Sequence, residues 1–67
     1  MELSTLIRMG KQISANIPGE EKRAEKIASH LKNFWTPKMR KEFIDYLQKN
    51  KNEFEQELVD AVNLLNK

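Results

Sequence analysis

His30 to Arg40 reads HLKNFWTPKMR, and these eleven residues join the end of one helix to the start of the next. Phe34 and Trp35 supply the largest apolar surfaces of the stretch, at the point where the first of the two helices must stop. Thr36 has the side chain of a good N-cap, able to accept an orphan backbone N–H. Pro37 then falls at the first helical position, where its missing N–H costs nothing. The cations are out of place by the same logic. Lys38, Arg40 and Lys41 crowd a first turn where the helix dipole is positive, and each exposed cation there is disfavoured by roughly 0.3 to 1 kcal/mol. A fold alone does not require that arrangement, whereas a surface built to meet an acidic or carbonyl-rich partner does.

Outward from this joint, apolar residues recur at helical spacing and no segment alternates as a strand would. The first helix is predicted from about Ser4 to Asn16, with Leu3, Leu6, Ile7, Gly10, Ile13 and Ile17 on one stripe, and it stops at Pro18 and Gly19. The second runs from about Glu20 to Phe34. Its carboxylates Glu20 and Glu21 suit the dipole, and its stripe is Ala24, Ile27, Ala28, Leu31, Phe34 and Trp35. The third spans Pro37 to about Lys49, with Met39, Phe43, Tyr46 and Leu47 inward and Ile44 at the margin. Lys49 to Asn52 form a break. Asn52 and Glu55 then have the spacing of a capping box for a fourth helix lined by Phe54, Leu58, Ala61, Val62 and Leu65. Short loops favour antiparallel neighbours, so the expected fold is all-α: a small four-helix bundle, or two packed helical hairpins, in a single helical domain over residues 1–67.

Sixty-seven residues make a small core, and a domain of this size buries only about 60% of its unfolded surface. Such a chain is marginal alone, and a partner or a second copy in a homodimer is expected to add stability. With no cysteine there is no disulfide framework, and no apolar run is long enough to span a bilayer. The N-terminus has no signal-peptide layout, so the expected location is cytoplasmic, with no membrane partner. The net charge of +2 is uneven. Residues 1–41 carry nine Lys/Arg against four Asp/Glu, and residues 42–67 carry three against six. A general polyanion binder is not usually half acidic.

Enzymatic constellations are missing. One histidine, no cysteine and two glycines leave no zinc cluster, cysteine nucleophile or phosphate-cradling loop. Glu53 and Glu57 share a helix face, as do Glu21 and Glu25, but paired carboxylates act as acid and base only where a pocket separates their pKa values. They read as solvated faces. No catalytic, cofactor-binding or metal-binding residue is expected. Trp35 reads as a core plug, Phe34 as an edge residue partly open to a partner, and His30 as a boundary residue stacking near Phe34. Gly10 sits mid-stripe, where close approach of another helix or of the Trp35 ring explains it. Arg40 projects into the apolar sector of the third helix. It either snorkels, pairs internally with a helix C-terminal carbonyl, or makes a bidentate contact with a partner. Gly10, Trp35, Pro37 and Met39 are thus the candidate structural residues, and His30, Phe34, Lys38, Arg40 and Lys41 the candidate partner-binding set. Two rivals remain. One is a helix-turn-helix nucleic-acid module, which Glu42 and Asp45 disfavour; the other is a self-associating bundle.

Two blocks carry a resemblance. MGKQI at residues 9–13, through Met9, Gln12 and Ile13, and the segment 30–40, through His30, Leu31, Phe34, Trp35, Pro37, Met39 and Arg40, are similar to the delta subunit of the soluble NAD-dependent formate dehydrogenases. Gly10 and Lys11 depart from the family pattern, and Lys49 to Asn52 stand where relatives often have a glycine-rich loop. The resemblance implies a cofactor-free accessory subunit that supports assembly or stability of the complex and docks on its large catalytic subunit. It implies further that the partner subunits carry a molybdenum or tungsten pterin, iron–sulfur clusters and flavin, and oxidise formate with reduction of NAD.

Overall fold

Four α-helices follow one another through short joints in the computed structural model, which describes residues 2–19 and 21–66. They are α1 (Leu3–Asn16), α2 (Arg23–Phe34), α3 (Pro37–Lys49) and α4 (Gln56–Leu65), with a single 3₁₀ turn at Lys51–Glu53 between the last two. No strand occurs among the described residues, and no helix among them is long and apolar enough to cross a membrane. The Cα radius of gyration is 10.7 Å, close to the roughly 11 Å of a fully packed chain of this length. The expected all-α bundle is therefore what forms. Its most extensive pairing is between α2 and α4, while α1 packs on α3, α4 and, least, α2.

The starts of the helices show which local signals prevailed. At α3 the Thr36 Oγ1 accepts from Met39 N–H at 3.2 Å and Pro37 occupies the first helical position. At α2 the start is later than the sequence reading places it. Gly19 has φ +91° and Lys22 φ +57°, left-handed conformations that interrupt a helix, so α2 begins at Arg23 and Glu21 lies ahead of it. Glu20 lies outside the described residues. At α4 the expected capping box does not form. Asn52 is inside the 3₁₀ turn, and Glu55 is itself the N-cap residue, with no side-chain cap. The reason is Phe54, whose extended backbone (φ −123°, ψ 151°) buries its ring. Burying a phenylalanine stabilises by about 1.5 to 3 kcal/mol, more than a cap supplies.

Leu6, Ile27, Leu31, Phe43, Leu47, Leu58 and Val62 are the largest fully buried side chains. Through them runs an edge-to-face chain of aromatic rings, Trp35 to Phe43 at 5.4 Å, Phe43 to Phe54 at 5.7 Å and Phe54 to Tyr46 at 6.0 Å. One stripe assignment, Leu3, is corrected, and the edge position Phe34 proves to lie outward. Leu3 is 39% exposed at the first turn of α1, beside a shallow hollow that it shares with Glu42, Asp45, Tyr46 and Lys49 of α3. Phe34 is 73% exposed, because the chain turns extended at Trp35 (φ −99°, ψ 144°) and Trp35 takes the inward place just beyond the helix. Val59 and Ser14 are buried without having been assigned to the core. At the α3 terminus the Asn50 side-chain amide donates to Tyr46 O at 2.9 Å. The Tyr46 hydroxyl donates to the Glu53 carboxylate at 2.6 Å, which raises the phenol above its ordinary 10.0.

Gly10 faces the Phe43 ring of α3, not the Trp35 ring. A Cβ at position 10 would stand 2.7 Å from Phe43 Cζ and 2.9 Å from Cε1, so α1 can approach α3 only because no side chain intervenes. One turn along the same buried face, Ser14 is 2% exposed and its hydroxyl has no hydrogen-bond partner among the described residues. These two positions give opposite expectations for the same residue. Gly10→Ala gains about 1 kcal/mol of helix propensity but must displace a fully buried ring, which typically costs about 1 to 3 kcal/mol, so it should lower the melting temperature. Ser14→Ala removes an unpaired buried hydroxyl and should raise stability by about 1 kcal/mol. Thermal melts of the two variants followed by circular dichroism check both signs.

Candidate functional site

Two arginines shape the surface on which the candidate residues lie. Arg40, in the first turn of α3, donates through Nη1 to Trp35 O at 2.6 Å, Lys32 O at 3.0 Å and Leu31 O at 3.2 Å. Of the roles open to it from sequence, it takes the internal one, closing the C-terminus of α2. Arg23, the first residue of α2, does the same for α1. Its guanidinium donates to Ser14 O and Ile17 O and forms an ion pair with Glu57 of α4. The last carbonyls of a helix have no intrahelical partner and carry about half a negative charge, so each terminus is a natural cation site. The sequence reading missed Arg23. Its signal was the lack of any basic residue in the last turn of α1, leaving those carbonyls to be met from outside.

Between the ends so fixed lies an open groove of about 600 Å³. One wall is α1, with Met9, Gln12, Ile13, Asn16 and, just past its end, Ile17; the other is His30 and Phe34 of α2, then Trp35 and Met39. The α1 stripe is therefore divided. Leu6 and Gly10 are buried, joined by Ser14 from outside the expected stripe, whereas Ile13 and Ile17, with Met9 beside the stripe, are only partly covered and face the groove. A helix spacing of three and four residues puts both sets on adjacent faces, and periodicity alone does not say which face the core covers.

His30 is half-buried and its ring lies 4.7 Å from that of Phe34, tilted by 37°. This stacking holds the exposed Phe34 ring along α2 at the groove edge. Trp35 is 5% exposed, so it belongs to the core and shows only a small part of itself to the groove. Met39 is half-buried beside it, and Pro37, Lys38 and Lys41 are exposed. The structure thus brings His30 and Phe34 together with the first block of the α1 sequence, and turns Arg40 inward. No group of three or more His, Asp or Glu able to hold a metal occurs among the described residues.

Fold and groove define a class, a small all-α bundle with an open apolar face between its first two helices. The model of the family described as "NADH-dependant formate dehydrogenase delta subunit FdsD" matches residues 5–62, and the chain belongs to that family. No curated protein and no solved structure matches it. Of the ten residues that carried the resemblance, Met9, Gln12, Ile13, His30, Phe34, Trp35 and Met39 line the groove. The other three are Leu31 in the core, Pro37 at the start of α3 and Arg40 on the α2 terminus.

The two arginine closures should differ in weight. Hydrogen bonds involving a charged group contribute about 1.5 to 3 kcal/mol when shielded and less when wet. The Arg23 side chain is only 16% exposed, so Arg23→Ala is expected to cost about 2 kcal/mol and Arg40→Ala, half-exposed, about 1 kcal/mol. Arg40→Lys should recover only part of that loss, because the shorter lysine stem carries its ammonium less far toward the three carbonyls that Nη1 reaches. Chemical denaturation of the variants measures the order.

Proposed function

We propose that this chain is a non-catalytic accessory subunit of a multi-subunit NAD-dependent formate dehydrogenase, docking on the large catalytic subunit and supporting assembly or stability of the complex. The molybdenum or tungsten pterin, the iron–sulfur clusters, the flavin and the NAD site belong on this reading to the partner subunits, and this chain binds none of them. One observation carries the docking surface. Two sequence blocks some twenty residues apart, those that carry the resemblance to the delta-subunit family, converge on one groove and contribute most of its lining.

A core position needs only an apolar side chain of the right volume. Gln12, His30 and a phenylalanine left 73% exposed serve no such need, and exposed aromatic rings are the anchors that partner surfaces favour. His30 and Phe34 are the proposed contacts, with Lys38 and Lys41 beside them at the start of α3. Arg40 contributes by holding the α2–α3 joint, and through it the position of Phe34 and Trp35. A nucleic-acid reading has less support, since Arg40 is engaged with carbonyls and Glu42 and Asp45 follow on the same helix.

The test is co-expression with the catalytic subunit and affinity capture of the complex. Phe34→Ser is expected to melt like the wild type, because the ring is largely in water, yet to reduce co-purification at least tenfold, as loss of an interface anchor worth about 2 kcal/mol does. Trp35→Ala is the contrast, losing about 3 to 5 kcal/mol of stability in the free subunit. Wild-type capture of a folded Phe34→Ser variant would remove the groove from the interface.

A further inference from the structure

The groove also carries information about its occupant. The walls are helices α1 and α2 with the joint residues Ile17 and Trp35 and Met39 of α3, and their backbone is largely committed to helical hydrogen bonds or to the terminal closures made by Arg23 and Arg40. There is no sheet edge here to receive a strand. A strand laid in the groove would find no backbone partners there, whereas a helix brings its own hydrogen bonds with it. Ile13 and Ile17 of the α1 stripe, with Met9 beside it, face Phe34 across a channel with room for several large side chains.

Charge narrows the choice further. From Leu3 to Ile17 the chain carries Arg8 and Lys11 and no Asp or Glu. From Lys26 to Lys41 it carries four lysines, Arg40 and His30, again with no Asp or Glu. All ten carboxylates of the chain lie outside the two segments that build the groove. Arg40 is engaged with the α2 carbonyls, and Lys11 stands 5.2 Å over the Phe54 ring. Arg8, Lys26, Lys32, Lys38 and Lys41 are exposed on these two segments outside the groove lining, and Lys41 borders a neighbouring hollow with Asp45. Such a field attracts acidic surfaces over roughly a Debye length, about 8 Å at physiological salt, and repels basic ones.

We infer that the groove receives an amphipathic helix of the catalytic subunit, its apolar side chains at i, i+3 or i+4, and i+7 set between α1 and Phe34 and its flanks bearing Asp and Glu. This rests on the docking proposed above and specifies what docks. The cations at the start of α3 then have their explanation: they are unfavourable for α3 alone and complementary to the flank of the incoming helix.

The experiment uses the full chain co-expressed with the catalytic subunit, with a benzophenone amino acid placed at Gln12 in the groove or, in a control, at Asp60 on the outer face of α4. The expected crosslink from Gln12 joins a segment of the catalytic subunit with apolar residues at helical spacing and net negative charge. Replacing the acids of that segment by Lys should lower capture at least tenfold, and Lys38→Glu with Lys41→Glu should restore much of it. Those two substitutions suit a helix N-terminus, so lost capture when they meet the unaltered acidic partner cannot be put down to unfolding. A Gln12 crosslink to a basic segment, to an alternating strand, to nucleic acid or to a second copy overturns the inference and leaves subunit membership intact. So does retention in which only the Asp60 position crosslinks, or indifference to the charge exchange. Failure of the wild-type chain to be retained at all overturns the docking and the inference together.

Discussion

The constraint on which this small fold depends is the closure of helix C-termini by arginines from the following helix. Arg23 reaches from the first residue of α2 to the last carbonyls of α1, and Arg40 from the first turn of α3 to those of α2. A carbonyl end carries partial negative charge, and an arginine presents several donors in a fixed plane, so one side chain can hold several carbonyls and set the direction in which the next helix leaves. In each case a cation stands at a helix start that electrostatics disfavours. The neighbouring helix end, brought close by the turn, offsets that cost. Arg23 adds the link to Glu57 and so ties the joint to α4, the helix that α2 packs against most closely.

With its ends held, the bundle closes around Phe43. Gly10 admits the ring between α1 and α3, and Trp35 and Phe54 meet it edge to face from the two sides. This arrangement leaves little slack, since a close-packed core passes a displacement of its fully buried ring on to the side chains that touch it. It also accounts for the irregular start of α4, where a 3₁₀ turn and an extended Phe54 replace the regular cap so that the ring can reach the centre.

What the core does not cover is as informative as what it does. A chain of 67 residues cannot bury all of an apolar α1 stripe, and Ile13 and Ile17, with Met9 beside them, face a groove bordered by Phe34. In a protein of the formate dehydrogenase delta-subunit family, an uncovered apolar face with no carboxylate in its lining is the natural place to look for the contact with the rest of the enzyme. The proposed docking and the need of a small domain for added stability are then two aspects of one surface.

Sequence by itself determined the helices and much of the core. Thr36 and Pro37 mark the start of α3 because capping and the fixed φ of proline act within a few residues, and Leu6, Ile27, Leu31, Phe43, Leu47, Leu58 and Val62 are inward because helical periodicity orders them. It also left Arg40 with three roles and the two blocks of family resemblance with no common location. Only the tertiary structure decided that Arg40 turns to the α2 carbonyls, that Arg23 does likewise for α1, that Phe34 lies out and Trp35 in, and that α2 pairs chiefly with α4. The reason is range. Caps and periodicity depend on neighbours along the chain, whereas the partner of a long cationic side chain, and the half of a wide apolar stripe that stays uncovered, depend on which helices come to lie side by side.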